Sequence, residues 1–263
     1  PAGTTRSGSL LFDGTELIGV SEAGMRRYRG AEIACVYQEP MTALNPLHTV
    51  GDFLEEAIRS HENGGRGRKR DPQELLELVG LGGYDDLLSR YPHQLSGGQR
   101  QRIMAAGAVA WEPKLLIADE PTTALDVTTQ RNLLAMFREI VERERMSMIF
   151  VTHDMGVVAD IADAVVVMRD GRVVETGDVY SIFERPQHEY TRSLLSAARA
   201  LHGARADLAG EGAGATGKAP AAPVADDPAP ALAVRDLVVE YRRSGLRRPR
   251  TEENRKAAVQ GAH

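Results

Sequence analysis

The chain has little of what would crosslink it, anchor it in a bilayer or draw it to a polyanion. One cysteine, Cys35, stands among 263 residues, so no disulfide can form within the chain and no cysteine-built zinc or iron–sulfur cage is expected. Cys35 lies in the apolar run Ile33-Ala34-Cys35-Val36 and reads as a small buried hydrophobe. No apolar run approaches the roughly twenty residues needed to span a bilayer, and the N-terminus has no leader-peptide pattern. Any association with a membrane is therefore expected to go through a partner. Excess positive charge is missing too: a net charge of −5 gives no global reason to expect nucleic acid. What is present is ordinary, with 42% hydrophobic and 26% charged residues, enough to bury a core. The length allows one large domain or two small ones.

The chemistry concentrates in residues 94–126. Ser96 precedes a helical stretch, and Gly97 and Gly98 follow it without side chains that would block an approach. A hydroxyl, bare backbone N–H groups and the positive end of a helix suit a phosphate. Leu115, Leu116, Ile117 and Ala118 form a short apolar run that predicts a strand buried on both faces. It ends in Asp119 and Glu120, two carboxylates at the carboxyl end of a parallel strand, the edge where open α/β sheets bind ligands. One carboxylate can hold Mg²⁺ through water, and the next can orient or deprotonate an attacking water. Alone, Ser-Gly-Gly also fits an ordinary loop, and Asp-Glu a solvated strand end.

The rest of the chain supplies a frame. Residues 9–19 predict a hairpin around Asp13-Gly14, and 31–37 a buried strand ending at Gln38. Helices are expected over 49–62, over 71–79 with Asp71-Pro72-Gln73-Glu74 as its start, and over 128–145 with Leu133, Leu134, Phe137, Ile140 and Val141 inward. Residues 63–70, Asn-Gly-Gly-Arg-Gly-Arg-Lys-Arg, read as a solvated basic loop. Trp111 reads as core packing. Met148-Ile-Phe-Val151 predicts another buried strand, with His153 at its carboxyl end and Asp154 capping the next helix at Gly156. A strand pair follows around Asp170-Gly171, then two helices over 178–199 broken near Pro186.

In this order and spacing the motifs resemble the ATP-binding subunits of ABC transporters. Leu95-Ser96-Gly97-Gly98-Gln99 is similar to the family's signature motif, Leu115 to Glu120 to its Walker B strand, and Ala124-Leu125-Asp126 to its D-loop. Gln38 with its following loop is similar to the Q-loop, and Met41-Thr-Ala-Leu-Asn-Pro46 resembles the oligopeptide, dipeptide and nickel importer branch. The resemblance implies an α/β fold: a P-loop-NTPase-like core with a mostly parallel sheet and a helical signature subdomain at about 41–111. It implies ATP and Mg²⁺ as cofactors. Glu120 would be the general base or water-orienting group, Asp119 and Gln38 the Mg²⁺ contacts, and Gln38 and His153 the sensors of the γ-phosphate. Ser96, Gly97, Gly98 and Gln99 would clamp ATP held by an opposite domain, and Asp126 would link the two sites.

An ATPase of this family needs a P-loop, G-x-x-x-x-G-K-S/T, between its first strand and first helix. The near match Gly212-Ala-Gly-Ala-Thr-Gly217-Lys218 is followed by Ala219, lacks the Mg²⁺-holding hydroxyl and lies in a Gly/Ala/Pro/Asp tract over 203–230 that reads as linker. Residues 232–241 alternate like a strand and resemble the opening strand of a second ABC domain, with Tyr241 where the adenine-stacking aromatic lies. The expected organisation is an ABC domain over 1–200 lacking its P-loop, with a C-terminal extension at about 178–200, then a linker over 201–230 and a second-domain stub over 231–263. The chain is expected to be a piece of a tandem two-domain ATPase, inactive alone. The intact protein is expected to couple ATP hydrolysis to import of peptides or related solutes. It would sit on the cytoplasmic face with permease subunits, a second ATPase domain and, indirectly, a substrate-binding protein. A soluble ABC ATPase, or a module lending only its signature face to a partner's ATP, are the alternatives.

Overall fold

The computed structural model of the chain describes residues 4–37, 44–61, 70–123, 125–209 and 232–241. In chain order, β1 (Thr4–Phe12), β2 (Thr15–Glu16), α1 (Glu22–Met25) and β3 (Ile33–Val36) are followed by α2 (Val50–Arg59), α3 (Pro72–Leu78) and α4 (Gly97–Ala108). Then come β4 (Leu115–Asp119), α5 (Val127–Glu144), β5 (Ser147–Val151), α6 (Met155–Ile161), β6 (Ala164–Arg169) and β7 (Arg172–Asp178). Last are α7 (Val179–Glu184), α8 (Glu189–Ala209) and β8 (Leu232–Tyr241). Two units divide these elements, one from residues 20–153 and one from residues 1–19 with 154–263.

The 20–153 unit carries the parallel sheet, ordered β3-β4-β5. Leu115, Leu116 and Ala118 of the central strand are buried, as the apolar run predicts. The expectation of a buried β5 is corrected. It is the outermost strand of this sheet among the described residues, and Ile149 and Val151 are 38% and 45% exposed. Cys35 is likewise only half-buried, since its side chain falls on the opposite face of β3 from buried Ala34 and Val36.

The helices begin where side chains can satisfy orphan N–H groups. Asp71 accepts from Glu74 N–H at 2.9 Å, with Pro72 in the first turn, and the chain turns away from α3 at Gly80 with φ +71°. Helix α5 buries Leu133, Leu134, Met136, Phe137 and Ile140. Val141, expected inward, is half-buried, and Met136 shares the core-facing stripe instead. Trp111 is buried and donates Nε1–H to Ala57 O at 3.1 Å, which ties the end of the signature helix to α2. Fully buried Leu54, Leu76, Ile103 and Phe137 each contribute about 1.5–3 kcal/mol of apolar burial.

In the other unit, Asp13-Gly14 and Asp170-Gly171 make the two expected hairpin turns, all four residues with positive φ. Strand β8 pairs antiparallel with β1, from Thr4↔Tyr241 to Phe12↔Leu232, so its sheet is ordered β2-β1-β8. Helix α8 continues to Ala209, past residue 199 where the sequence predicts the end of the second helix. The near-match segment 212–219 and residues 256–263 lie outside the described residues. Among those described, no helix is long and apolar enough to cross a membrane.

Several cap carboxylates are held below their ordinary range: Asp52 by Thr49 N–H, Asp126 by the Thr129 hydroxyl and Asp178 by the Ser181 hydroxyl. Their folded pKa values are depressed, so their stabilisation is present above the unfolded carboxylate pKa of about 4 and is lost as pH falls through the lower folded values. Thermal scans by circular dichroism should show a Tm that is level near neutrality and drops below about pH 4. A Tm unchanged down to pH 2 would overturn that account.

Candidate functional site

The parallel pairing of β4 with β5 brings the two sequence signals to one edge. Asp119 pairs in register with Val151, and Glu120 N–H donates to Val151 O at 2.9 Å. Two residues beyond Val151, His153 Nδ1 lies 3.0 Å from Glu120 Oε1. The other carboxylate oxygen, Oε2, accepts the Thr123 hydroxyl at 2.9 Å. Glu120 is in the left-handed region with φ +45°, an unfavourable conformation for a non-glycine residue. The turn that follows is closed by Thr123 N–H to Glu120 O at 3.2 Å. The hydrogen bond with His153 is the largest influence that holds the Glu120 carboxyl below its usual range, and the Thr123 hydroxyl adds to it. Its side chain is 25% exposed and that of His153 is 77% exposed, so both are open to a ligand. Asp119 is exposed at the strand end.

At the start of α4, Ser96 Oγ accepts from Gln99 N–H at 3.2 Å, and the Gln99 side chain accepts from Ser96 N–H at 2.9 Å. This reciprocal pair is a capping box, and it engages both polar side chains of the expected signature loop. The two glycines differ. A Cβ on Gly98 would lie 2.7 Å from Thr129 Cγ2, whereas one on Gly97 would find nothing nearer than Leu125 Cδ2 at 4.0 Å. Gly98 thus lets α4 pack against α5, and Gly97 leaves an open approach. Asp126 caps α5 through Thr128 and Thr129 N–H, each at 3.0 Å. Asp154 caps α6 through Gly156 N–H at 2.8 Å, as the sequence predicts.

Gln38 lies outside the described residues. Tyr241 ends β8 opposite Thr4. Among the described residues no group of three His, Cys, Asp or Glu could hold a metal unaided. Asp119, exposed at the end of β4, offers a single carboxylate, the kind of oxygen donor that Mg²⁺ takes together with water. Sequence reasoning missed Thr123 and Gln101, whose buried Nε2–H donates to Pro121 O at 2.7 Å. Gln101 shares a helical face with buried Met104 and Ala105, spaced three and four residues on, and that position was the available signal.

The architecture is that of an ATP-binding cassette. A solved cassette, a dimer in a post-hydrolysis state bound to ADP and Pi, matches with a TM-score of 0.55 and 26% identity, covering 66% of this chain and 74% of that one. Residues 2–123 match the family described as ABC transporter, and this stretch is an ABC transporter domain. It is 49% identical over 199 residues to the peptidoglycan transport ATP-binding protein YejF of Agrobacterium fabrum (strain C58 / ATCC 33970), covering 75% of this chain and 36% of that protein. It is 52% identical over 186 residues to the glutathione import ATP-binding protein GsiA of Escherichia coli (strain K12), covering 69% of this chain and 30% of that protein. The chain therefore spans about a third of the length of these relatives.

Proposed function

We propose that the chain is part of an ATP-binding and ATP-hydrolysing subunit that drives an importer of peptides or related small solutes. The observation that carries this reading is the pairing of Glu120 with His153 at the carboxyl edge of a parallel sheet. The relatives' transport of peptidoglycan and glutathione supports the substrate class. Glu120, its carboxyl held below the usual range by the hydrogen bond with His153, would orient the attacking water or take its proton. Asp119 would hold Mg²⁺ with water and phosphate oxygens. When bound, the ion would offset charge developing on the transferred phosphoryl group. Ser96 and Gly97 would meet the γ-phosphate of ATP held by an opposite ATPase domain, with Asp126 beside them. Gln38 as a second Mg²⁺ contact, and Tyr241 as an adenine-stacking aromatic of a following domain over 231–263, belong to the same proposal. Permease subunits would hold the assembly at the cytoplasmic membrane face, supplied by a substrate-binding protein.

A P-loop strand has a place in this scheme. Running parallel to β5, it would cover exposed Ile149 and Val151 and bring its loop to the edge that holds Glu120 and His153. The test compares the chain alone with a P-loop-bearing form, in which a strand and G-x-x-x-x-G-K-S loop from the 49%-identical relative precede residue 1. Steady-state phosphate release with Mg²⁺-ATP is expected from the P-loop-bearing form and not from the chain alone. A P-loop-bearing form that binds ATP without turnover would overturn the hydrolytic reading and leave a module that only lends its signature face.

A further inference from the structure

We infer that Gln101 is the positioning residue for Glu120, acting through the carbonyl of Pro121. The inference rests on the reading of Glu120 as the water-orienting group. Gln101 lies on α4, 4% exposed, and its Nε2–H reaches Pro121 O, the first carbonyl after Glu120. Its own Oε1 is buried and has no hydrogen-bond partner among the described residues. An unpartnered buried carbonyl is costly, and a methionine of the same length would avoid that cost. Packing alone does not account for an amide at this place.

The bond falls where it controls geometry. Pro121 O is the carbonyl of the peptide between Pro121 and Thr122, so the Gln101 bond holds that peptide in its orientation. Rotation of that peptide would reopen the turn closed by Thr123 N–H to Glu120 O and swing the Thr123 hydroxyl away from Glu120 Oε2. Glu120 already sits at φ +45° and needs its surroundings to hold it there. The same helix carries Ser96 at its N-cap and packs Gly98 against Thr129. Pro121 and Thr129 are thus both held against α4, the helix that Ser96 caps.

Backbone hydrogen exchange on the full chain tests the positioning independently of any nucleotide. In Gln101→Met, the amides of Thr123 and Leu125, which bond Glu120 O and Thr122 O, should exchange about tenfold faster. The amide of Val109, bonded to Ala105 O within α4, should be unchanged. Gln101→Leu, apolar and without the donor, should behave alike. Unchanged exchange at Thr123 and Leu125 in both variants, or equal acceleration along all of α4, would overturn the inference. In the P-loop-bearing form, both variants should lower kcat about tenfold with KM unchanged. A raised KM with unchanged kcat would overturn it as well. If the unsubstituted P-loop-bearing form does not hydrolyse ATP, the reading of Glu120 fails, and the exchange result still decides whether Gln101 holds the turn.

Discussion

Glu120→Gln in the P-loop-bearing form is expected to lower kcat by about 10²–10⁴-fold while ATP binding is kept. The substitution keeps the shape, so the contacts with His153 and Thr123 can persist, and the change isolates the negative charge. That charge is present throughout the neutral range because the wild-type carboxyl is held below its ordinary value. Its own protonation should therefore leave no inflection in the rate between about pH 6 and 8. Beside an ionised Glu120, His153 Nδ1 is the donor of the hydrogen bond between them. Single-turnover phosphate release and equilibrium nucleotide binding measure the two halves of the prediction. A variant within threefold of the parent in kcat would remove Glu120 from the chemistry.

The features legible in the sequence are those that local chemistry writes into a few adjacent residues. The Asp-Gly hairpins, the Asp71-Pro72 helix start and the Asp154 cap appear where such residues demand them. Glu120 and His153 are 33 residues apart, yet their meeting was readable because each ends an apolar run and such runs become neighbouring parallel strands. Contacts set by packing between distant elements were not readable. Arg70 closes the run that reads as a solvated basic loop. Its side chain is only 10% exposed, and it pairs with Glu112 at 3.1 Å and with half-buried Glu144. Composition shows the charge but not the two carboxylates that wait for it on other elements. The same holds for Gln101 and for β5, whose exposure depends on which strands lie beside it rather than on its own residues.

The two signature glycines should separate by experiment, because one is packed against Thr129 and the other stands open. Gly98→Ala is expected to destabilise the chain by about 1–3 kcal/mol, although alanine is the better helix former. Its Cβ would lie 2.7 Å from Thr129 Cγ2. That methyl cannot turn aside cheaply, since the Thr129 hydroxyl is bonded to Asp126 Oδ2 at 2.6 Å and the bond belongs to the cap of α5. Thr129→Ser removes the methyl and keeps the hydroxyl, so Gly98→Ala with Thr129→Ser should recover the lost stability in urea unfolding. Gly97→Ala meets only Leu125 Cδ2 at 4.0 Å and should leave stability equal or slightly raised. Its methyl would stand where a phosphate must approach the first-turn N–H groups, so ATP-dependent pairing of P-loop-bearing chains should weaken about tenfold or more. If the double variant stays as unstable as Gly98→Ala, Thr129 is not the obstacle. If Gly97→Ala pairs as tightly as the parent, its open side is not the ligand's path.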